Sequence, residues 1–201
     1  MEILLTIGIP TIEQRKECFN QLYAELKKQS EPFGNLIEIV YICDNKEMTI
    51  GAKRQKLVDI SKGKYIVMWD DDDWIHPHGI ELIMEGLKSD ADVISYNYST
   101  DIPVDNVTNC NRKISIKYTN ELIDGVLFVK PDCKNPIKRE LINKVKFRDT
   151  SWSEEFFFKM DLAPYLKTEY KIDEDIYQIL NRSGEDFNYQ RRYNLKTTKL
   201  I

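Results

Sequence analysis

Between Lys64 and Ile75 the chain runs Lys-Tyr-Ile-Val-Met-Trp-Asp-Asp-Asp-Asp-Trp-Ile, and this stretch limits the fold more than any other. An apolar run rich in β-branched and aromatic residues, entered from Gly63, predicts a buried strand over Tyr65–Trp69. It ends in four consecutive carboxylates, Asp70, Asp71, Asp72 and Asp73. Neighbouring carboxylates repel one another, and burial adds to the cost of keeping them ionised. A strand that carries such a charge to its carboxyl end therefore calls for a cation there. Hard oxygen donors suit Mg²⁺ or Mn²⁺, which bind through one or two carboxylates and the phosphates of a substrate. The plain alternative is a solvated acidic turn. Trp69 and Trp74 on either side argue against it, because exposed acidic loops rarely lie between large aromatics.

The other regular elements repeat one pattern. Ile3–Ile9 is a nearly continuous apolar run, expected to end at Gly8 and Pro10. Thr11 and Gln14 have capping-box spacing, followed by Phe19, Leu22, Tyr23 and Leu26 at helical spacing to about Lys28. Pro32 and Gly34 mark a turn, Leu36–Cys43 a second strand, and Thr49–Lys62 a second helix with Gly63 after its end. Beyond the aspartates, Pro77 opens a third helix carrying Ile80, Ile83, Met84 and Leu87, and Ala91–Tyr96 is a fourth strand. Strands alternating with helices predict an α/β fold with a mostly parallel sheet flanked by helices. In such sheets ligands bind beyond the carboxyl ends of the strands. Pro10, Thr11, Asp44 and the aspartates all lie at such ends, and so converge on one cleft.

From Ser99 to Pro131 the pattern weakens to short strands such as Lys113–Tyr118 and Val126–Val129. Asn135–Pro136 is expected to start a helix reaching Val145. Ser151 and Glu154 form a second capping-box pattern, with Phe157 and Met160 expected inward. Lys167–Ile172 and Asp175–Leu180 read as two short strands, and residues 181–201 as a polar tail in which Arg191, Arg192, Lys196 and Lys199 alternate with aromatics. The 201 residues are expected to form one domain. A net charge of −4 and a pI near 5.4 give no general attraction for nucleic acid or anionic membrane. No apolar run reaches membrane-spanning length, and Glu2 stands where a signal peptide would be basic. Cys18, Cys43, Cys110 and Cys133 have neither metal nor disulfide spacing, so reduced thiols and a cytoplasmic location (the host cytoplasm for a viral chain) are expected.

Taken in order, these motifs resemble the family 2 glycosyltransferases with their GT-A fold, over about Ile3–Leu180. Three blocks carry the resemblance. Ile7-Gly-Ile-Pro-Thr is similar to the first strand and loop of that family. Gly51-Ala-Lys-Arg-Gln leading into Gly63 and the aspartates is similar to its central block. Asn135-Pro-Ile-Lys-Arg-Glu, Phe147 and Ser153-Glu-Glu-Phe are similar to its acceptor-side block. There the family usually has Glu-Asp, whereas this chain has Glu154 and Glu155. The resemblance implies that Pro10, Thr11, Asp44, Arg54 and Asp70 bind the donor, with Asp44 at the base, Arg54 near base and diphosphate, and Asp70 facing the ribose. It implies that Asp72, with Asp70, holds the Mn²⁺ or Mg²⁺, and that Asp73, Trp74 and Lys138 support the site. Asp71 becomes the variable position, facing solvent by strand alternation. The only histidines, His76 and His78, lie at a helix start, where relatives place a histidine much later.

The implied reaction moves a sugar from a nucleoside diphosphate donor, of UDP type by preference, to an acceptor hydroxyl with inversion. Glu155 is the expected general base: the capping-box spacing draws Glu154 back to its helix end and leaves Glu155 free. A glycan is the commonest acceptor among such relatives. A hydroxymethylated base in viral DNA is the narrower option, which the acidic pI opposes. Two other classes compete. A nucleotidyltransferase would need a glycine-rich basic loop after the first strand, which Gly8-Ile-Pro-Thr does not provide. A non-catalytic nucleotide-sugar or glycan-binding module would keep the cleft without turnover.

Overall fold

Up to about residue 100 helices and strands alternate as the periodicity predicts, with one extra two-residue strand after the aspartates; residues 110–138 then add four strands in succession. The computed structural model describes residues 2–100 and 110–180; the predicted polar tail lies outside them. In chain order the elements are β1 (Leu5–Ile12), α1 (Lys16–Ser30), β2 (Ile37–Asp44), α2 (Ile50–Ile60), β3 (Tyr65–Met68) and β4 (Trp74–Ile75). There follow α3 (Gly79–Leu87), β5 (Val93–Thr100), β6 (Cys110–Ile114), β7 (Glu121–Ile123), β8 (Val126–Val129) and β9 (Ile137–Lys138). The last are α4 (Arg139–Ile142), α5 (Glu154–Leu162) and β10 (Glu169–Ile179).

Among the described residues all ten strands join one mixed sheet. β1 lies between β2 and β3, parallel to both. The short β9 runs antiparallel between β3 and the start of β5, at Val93. The far end of that edge of β5 pairs with β6, and β10 runs parallel along the other edge. Alternation along β3 sends Tyr65 and Val67, with Trp69 beyond, into the core under α1 and α3. Ile66 and Met68 go to the opposite core under α2, α4 and α5. Both faces are dry, as a continuous apolar strand requires, and each such side chain contributes about 1.5–3 kcal/mol through burial.

Several expected boundaries moved, each for a tertiary reason. β1 does not stop at Gly8 or Pro10 but continues to Ile12. The Gly8 carbonyl accepts the Trp69 N–H at 3.0 Å on the β3 side. Pro10, two residues on, faces that same side past the last β1–β3 pair, so its missing N–H costs no ladder bond. The Thr11–Gln14 capping box does not form: a 3-10 turn covers Glu13–Arg15, and α1 starts at Lys16 without a side-chain cap. Gly63 is not the residue closing α2, whose C-cap is Ser61. It is needed because a Cβ there would come within 2.5 Å of the Thr6 backbone nitrogen, while its own N–H donates to Thr6 Oγ1. Instead of a helix from Asn135, a buried turn feeds β9 and leaves only the four-residue α4. The two predicted terminal strands are one, β10, irregular between Ile172 and Tyr177.

Candidate active site

The four aspartates leave β3 as a turn, closed by the Asp73 N–H donating to the Asp70 carbonyl at 3.3 Å. Strand alternation stops applying there, and the four side chains part company. Asp71, expected in solvent, is fully buried, accepting from the Thr11 hydroxyl at 2.6 Å and lying 3.2 Å from Arg15. Burial, the largest influence, raises its carboxyl pKa. Asp72, expected as the metal ligand, is also sealed, with Arg15 at 3.5 Å. Asp73 accepts from the Tyr177 hydroxyl and from the Leu180 N–H at 3.0 Å, tying the turn to β10, and burial pushes it up to about 7. Trp74 is buried in β4 beside Gln178 of β10. Only Asp70 reaches open space, with 26% of its side chain exposed.

The cations that answer these carboxylates come from distant segments. Thr49 caps α2 by accepting the Ala52 N–H, which fixes the helix that carries Arg54. Arg54 is buried rather than a surface residue. Its Nη1 meets Glu154 at 2.7 Å, and its Nη2 meets Asp70 at 2.7 Å and Glu155 at 2.5 Å. This is the forked, charge-assisted geometry that arginine favours. Lys134 lies 3.2 Å from Asp70 and contacts Glu155. It stands on the buried turn before β9, which is bonded to the end of β3: the Cys133 carbonyl accepts the Met68 N–H at 2.7 Å, and the Lys134 carbonyl accepts from Trp69 Nε1 and the Tyr96 hydroxyl. Lys138, expected to support the site, does not. It sits opposite Tyr65 at the other end of β3 and pairs with Asp90 at 3.3 Å and Asp92 at 3.8 Å.

The glutamate pair opens α5, though not through the expected capping box. Ser153 is the N-cap, left-handed at φ 59° with no side-chain bond, while Ser151 Oγ accepts from the Ile50 N–H at 3.4 Å. Glu154 turns inward because Arg54 takes it. Glu155 keeps 32% of its side chain exposed between Arg54 and Lys134. Burial raises the pKa of both Asp70 and Glu155, but Lys134 and Arg54 outweigh it, so each ends below its ordinary value. The inward apolar residues of α5 are Phe158 and Leu162, not Phe157 and Met160; the Phe158 ring stacks on Phe147 at 4.0 Å.

Two adjoining cavities border this cluster. One, of about 260 Å³, is lined by Pro10, Thr11, Arg15, Lys46, Lys53 and Ser151. The second, of about 760 Å³, is lined by Arg54, Asp70, Glu154, Glu155, Trp152 and Phe156, and shares Arg15, Ile50 and Ser151 with the first. Asp44 stands near the first at the end of β2. It accepts from the Lys46 and Met48 N–H groups and pairs with Lys53, whose Nζ also donates to the Thr11 carbonyl at 2.7 Å. Burial works to raise its pKa, but these bonds, Lys53's first, bring it below its ordinary value. Arg15, Lys53, Lys134 and Tyr177 were missed from sequence. Only Lys134 left a signal: it lies between Pro131 and Pro136, beside a block already singled out.

The fold raises the question of a divalent cation. Among the described residues no group of three or more His, Cys, Asp or Glu is arranged to hold one. Asp72 is sealed beside Arg15, so the expected Asp72–Asp70 ligand pair is not presented to the cleft. Of the four aspartates Asp70 alone offers an open carboxylate, already met by Arg54 and Lys134. This donor set fits an ion held through one carboxylate and substrate phosphates, and no closed protein site.

The mixed sheet, its carboxylate-tipped strand and the Glu-Glu helix beside it are the arrangement that the sequence's resemblance to GT-A transferases leads one to expect. The chain belongs to glycosyl transferase family 2, whose model matches residues 20–146. No curated protein matches the sequence. Among solved structures, S. aureus TarS 1-349 in complex with UDP-GlcNAc is similar, with a TM-score of 0.65 and 14% identity, over 92% of this chain and 60% of that one. The UDP complex of the same TarS fragment gives 0.63 and 12% identity, over 89% and 60%. The longer TarS structure gives 0.59 and 12% identity, over 89% and 37%. The chain thus spans at most about three fifths of these proteins, and the likeness concerns the fold. Among the described residues no helix is long and apolar enough to cross a membrane, and all four cysteines are free.

Proposed function

We propose that this chain is a glycosyltransferase moving a sugar from a nucleoside diphosphate donor, of UDP type, to an acceptor hydroxyl with inversion. The observation that carries this is the placement of Glu155: a half-open carboxylate in the larger cavity, beside two buried cations, with Glu154 sealed behind it. The TarS structures with UDP-GlcNAc and UDP support the donor class. In the reaction the acceptor oxygen bonds to the anomeric carbon, the bond from that carbon to the diphosphate breaks, and Glu155 takes the acceptor proton. Asp70, Glu154 and Glu155 share Arg54 and Lys134. An entering diphosphate competes for those cations, which brings positive charge to the leaving group and lets Glu155 recover basicity. Asp70 is the residue that would hold a Mn²⁺ or Mg²⁺ ion; when bound, the ion supplies further charge neutralisation on the diphosphate. Asp44 and Lys53, with Pro10 and Thr11, then bound the nucleotide end.

Release of UDP from UDP-sugars, followed beside donor affinity by calorimetry, tests the reading. Glu155→Gln should lower turnover about 10²–10⁴-fold with donor affinity nearly unchanged. Glu154→Gln should chiefly lower stability. An inactive Glu154→Gln beside an active Glu155→Gln reverses the assignment, and donor binding without UDP release leaves a binding module.

A further inference from the structure

The aromatic residues of the larger cavity take no part in the steps above. Of the three tryptophans, Trp69 and Trp74 are buried, whereas Trp152 is 84% exposed. Phe156, in the first turn of α5, is 52% exposed, and both line the cavity that holds Asp70 and Glu155. The segment that presents Trp152 is tightly fastened. Thr150 donates its N–H to the Arg148 carbonyl at 2.8 Å, and its own carbonyl accepts the Gly51 N–H at 3.0 Å. Its hydroxyl accepts the Trp152 N–H at 3.2 Å, and Asp149 takes the Thr49 hydroxyl at 2.6 Å. The left-handed turn at Ser153 follows. The indole is thus held out by a built loop anchored to the start of α2.

We infer that Trp152, with Phe156 lining the same cavity, is the platform for the acceptor and that the acceptor is an uncharged glycan, whose pyranose ring stacks its C–H face on the indole. This rests on the transferase reading for its setting and names the acceptor class for that site. The occupant follows from what surrounds the platform. Sites for small ligands combine aromatic walls with a few convergent polar groups. Here those groups include the Glu155 carboxylate, an acceptor suited to sugar hydroxyls, while the cationic neighbour Arg15 is committed to Asp71 and Asp72. Arg54 and Lys134 are the cations at Asp70 and Glu155 and serve the donor diphosphate, so the further phosphates of a nucleic acid would meet a chain of net charge −4 without them.

The test uses the whole chain and its own fluorescence. Only Trp152 is open to iodide, so quenching reports on it while Trp69 and Trp74 stay dark to the ion. Uncharged methyl pyranosides and β-linked disaccharides should protect it, the acyclic polyol sorbitol should not, and a thymidine oligonucleotide should not. Trp152→Ala should lower acceptor kcat/KM about 30-fold through KM, with UDP affinity by calorimetry unchanged and Trp152→Phe restoring most of the loss. UDP binding without protection by any pyranoside overturns the platform and leaves the transferase reading standing. Protection without UDP binding keeps the platform and removes that reading. Protection by the oligonucleotide alone, or loss of UDP affinity in Trp152→Ala, overturns the inference.

Discussion

Replacing Arg54 by methionine tests the charge arrangement on which the site rests. The guanidinium has 3% side-chain exposure and lies within 2.7 Å of carboxylate oxygens of Asp70, Glu154 and Glu155. Removing one partner of a buried ion pair costs about 3–5 kcal/mol, because it strands the other charge. Asp70 and Glu155 are 26% and 32% exposed and keep Lys134, so their shares fall toward the roughly 0–1 kcal/mol of surface pairs. Glu154, at 10%, has most to lose. The expected loss is therefore about 3 kcal/mol, or about 6–12 °C in Tm for a chain of this size. Its pH dependence has a fixed sign. Asp70 and Glu155 have pKa values lowered by the fold, so they stabilise it above their unfolded values near about 4, and that stability fades as pH falls through the lower folded values. Arg54 is a cause of both shifts. The gap between wild type and Arg54→Met is therefore widest above about pH 5 and narrows toward about pH 3. Urea denaturation at both ends of that range measures it. A cost below about 1 kcal/mol at neutral pH, or a gap that fails to narrow in acid, refutes the reasoning.

Three further outcomes follow from the same geometry. Mn²⁺-enhanced UDP binding, measured by calorimetry, should be lost in Asp70→Asn and survive in Asp72→Asn; the opposite pattern would restore Asp72 as the ligand the sequence suggested. Asp44→Ala should weaken binding of the preferred nucleotide and flatten the ranking of uridine, guanosine and thymidine diphosphates, since a site built to pair a base edge discriminates through it. A ranking that survives leaves Asp44 as the turn residue that its bonds to Lys46 and Met48 already make it. Gly51→Ala places a methyl group onto the Arg148 carbonyl oxygen, so it should cost about 1–3 kcal/mol in denaturant, because the two segments must part. Unchanged stability would mean that this contact gives way freely.

The order of strands and helices was readable from the sequence because periodicity is local: each apolar face is written within one element and needs no partner to be recognised. The same holds for the acidic end of β3 and for the convergence of Pro10, Thr11 and Asp44 on its end of the sheet. Caps and boundaries were less legible, since Thr11, Ser151 and Gly63 each found a tertiary partner stronger than the local motif they resembled. That Asp71 and Asp72 would both be shut away from the cleft could not be read. Arg54 and Glu154 are 100 residues apart, Thr11 and Asp71 60, and Trp69 and the Lys134 carbonyl 65. A buried charge takes whichever counter-charge the fold delivers, and desolvation makes that choice decisive. The sequence by itself determined the alternating α/β framework and where its acid would collect. The tertiary structure alone decided that Arg15 seals Asp71 and Asp72, that Lys134 and not Lys138 joins the site, and that Asp70 and Glu155 are left facing the cleft.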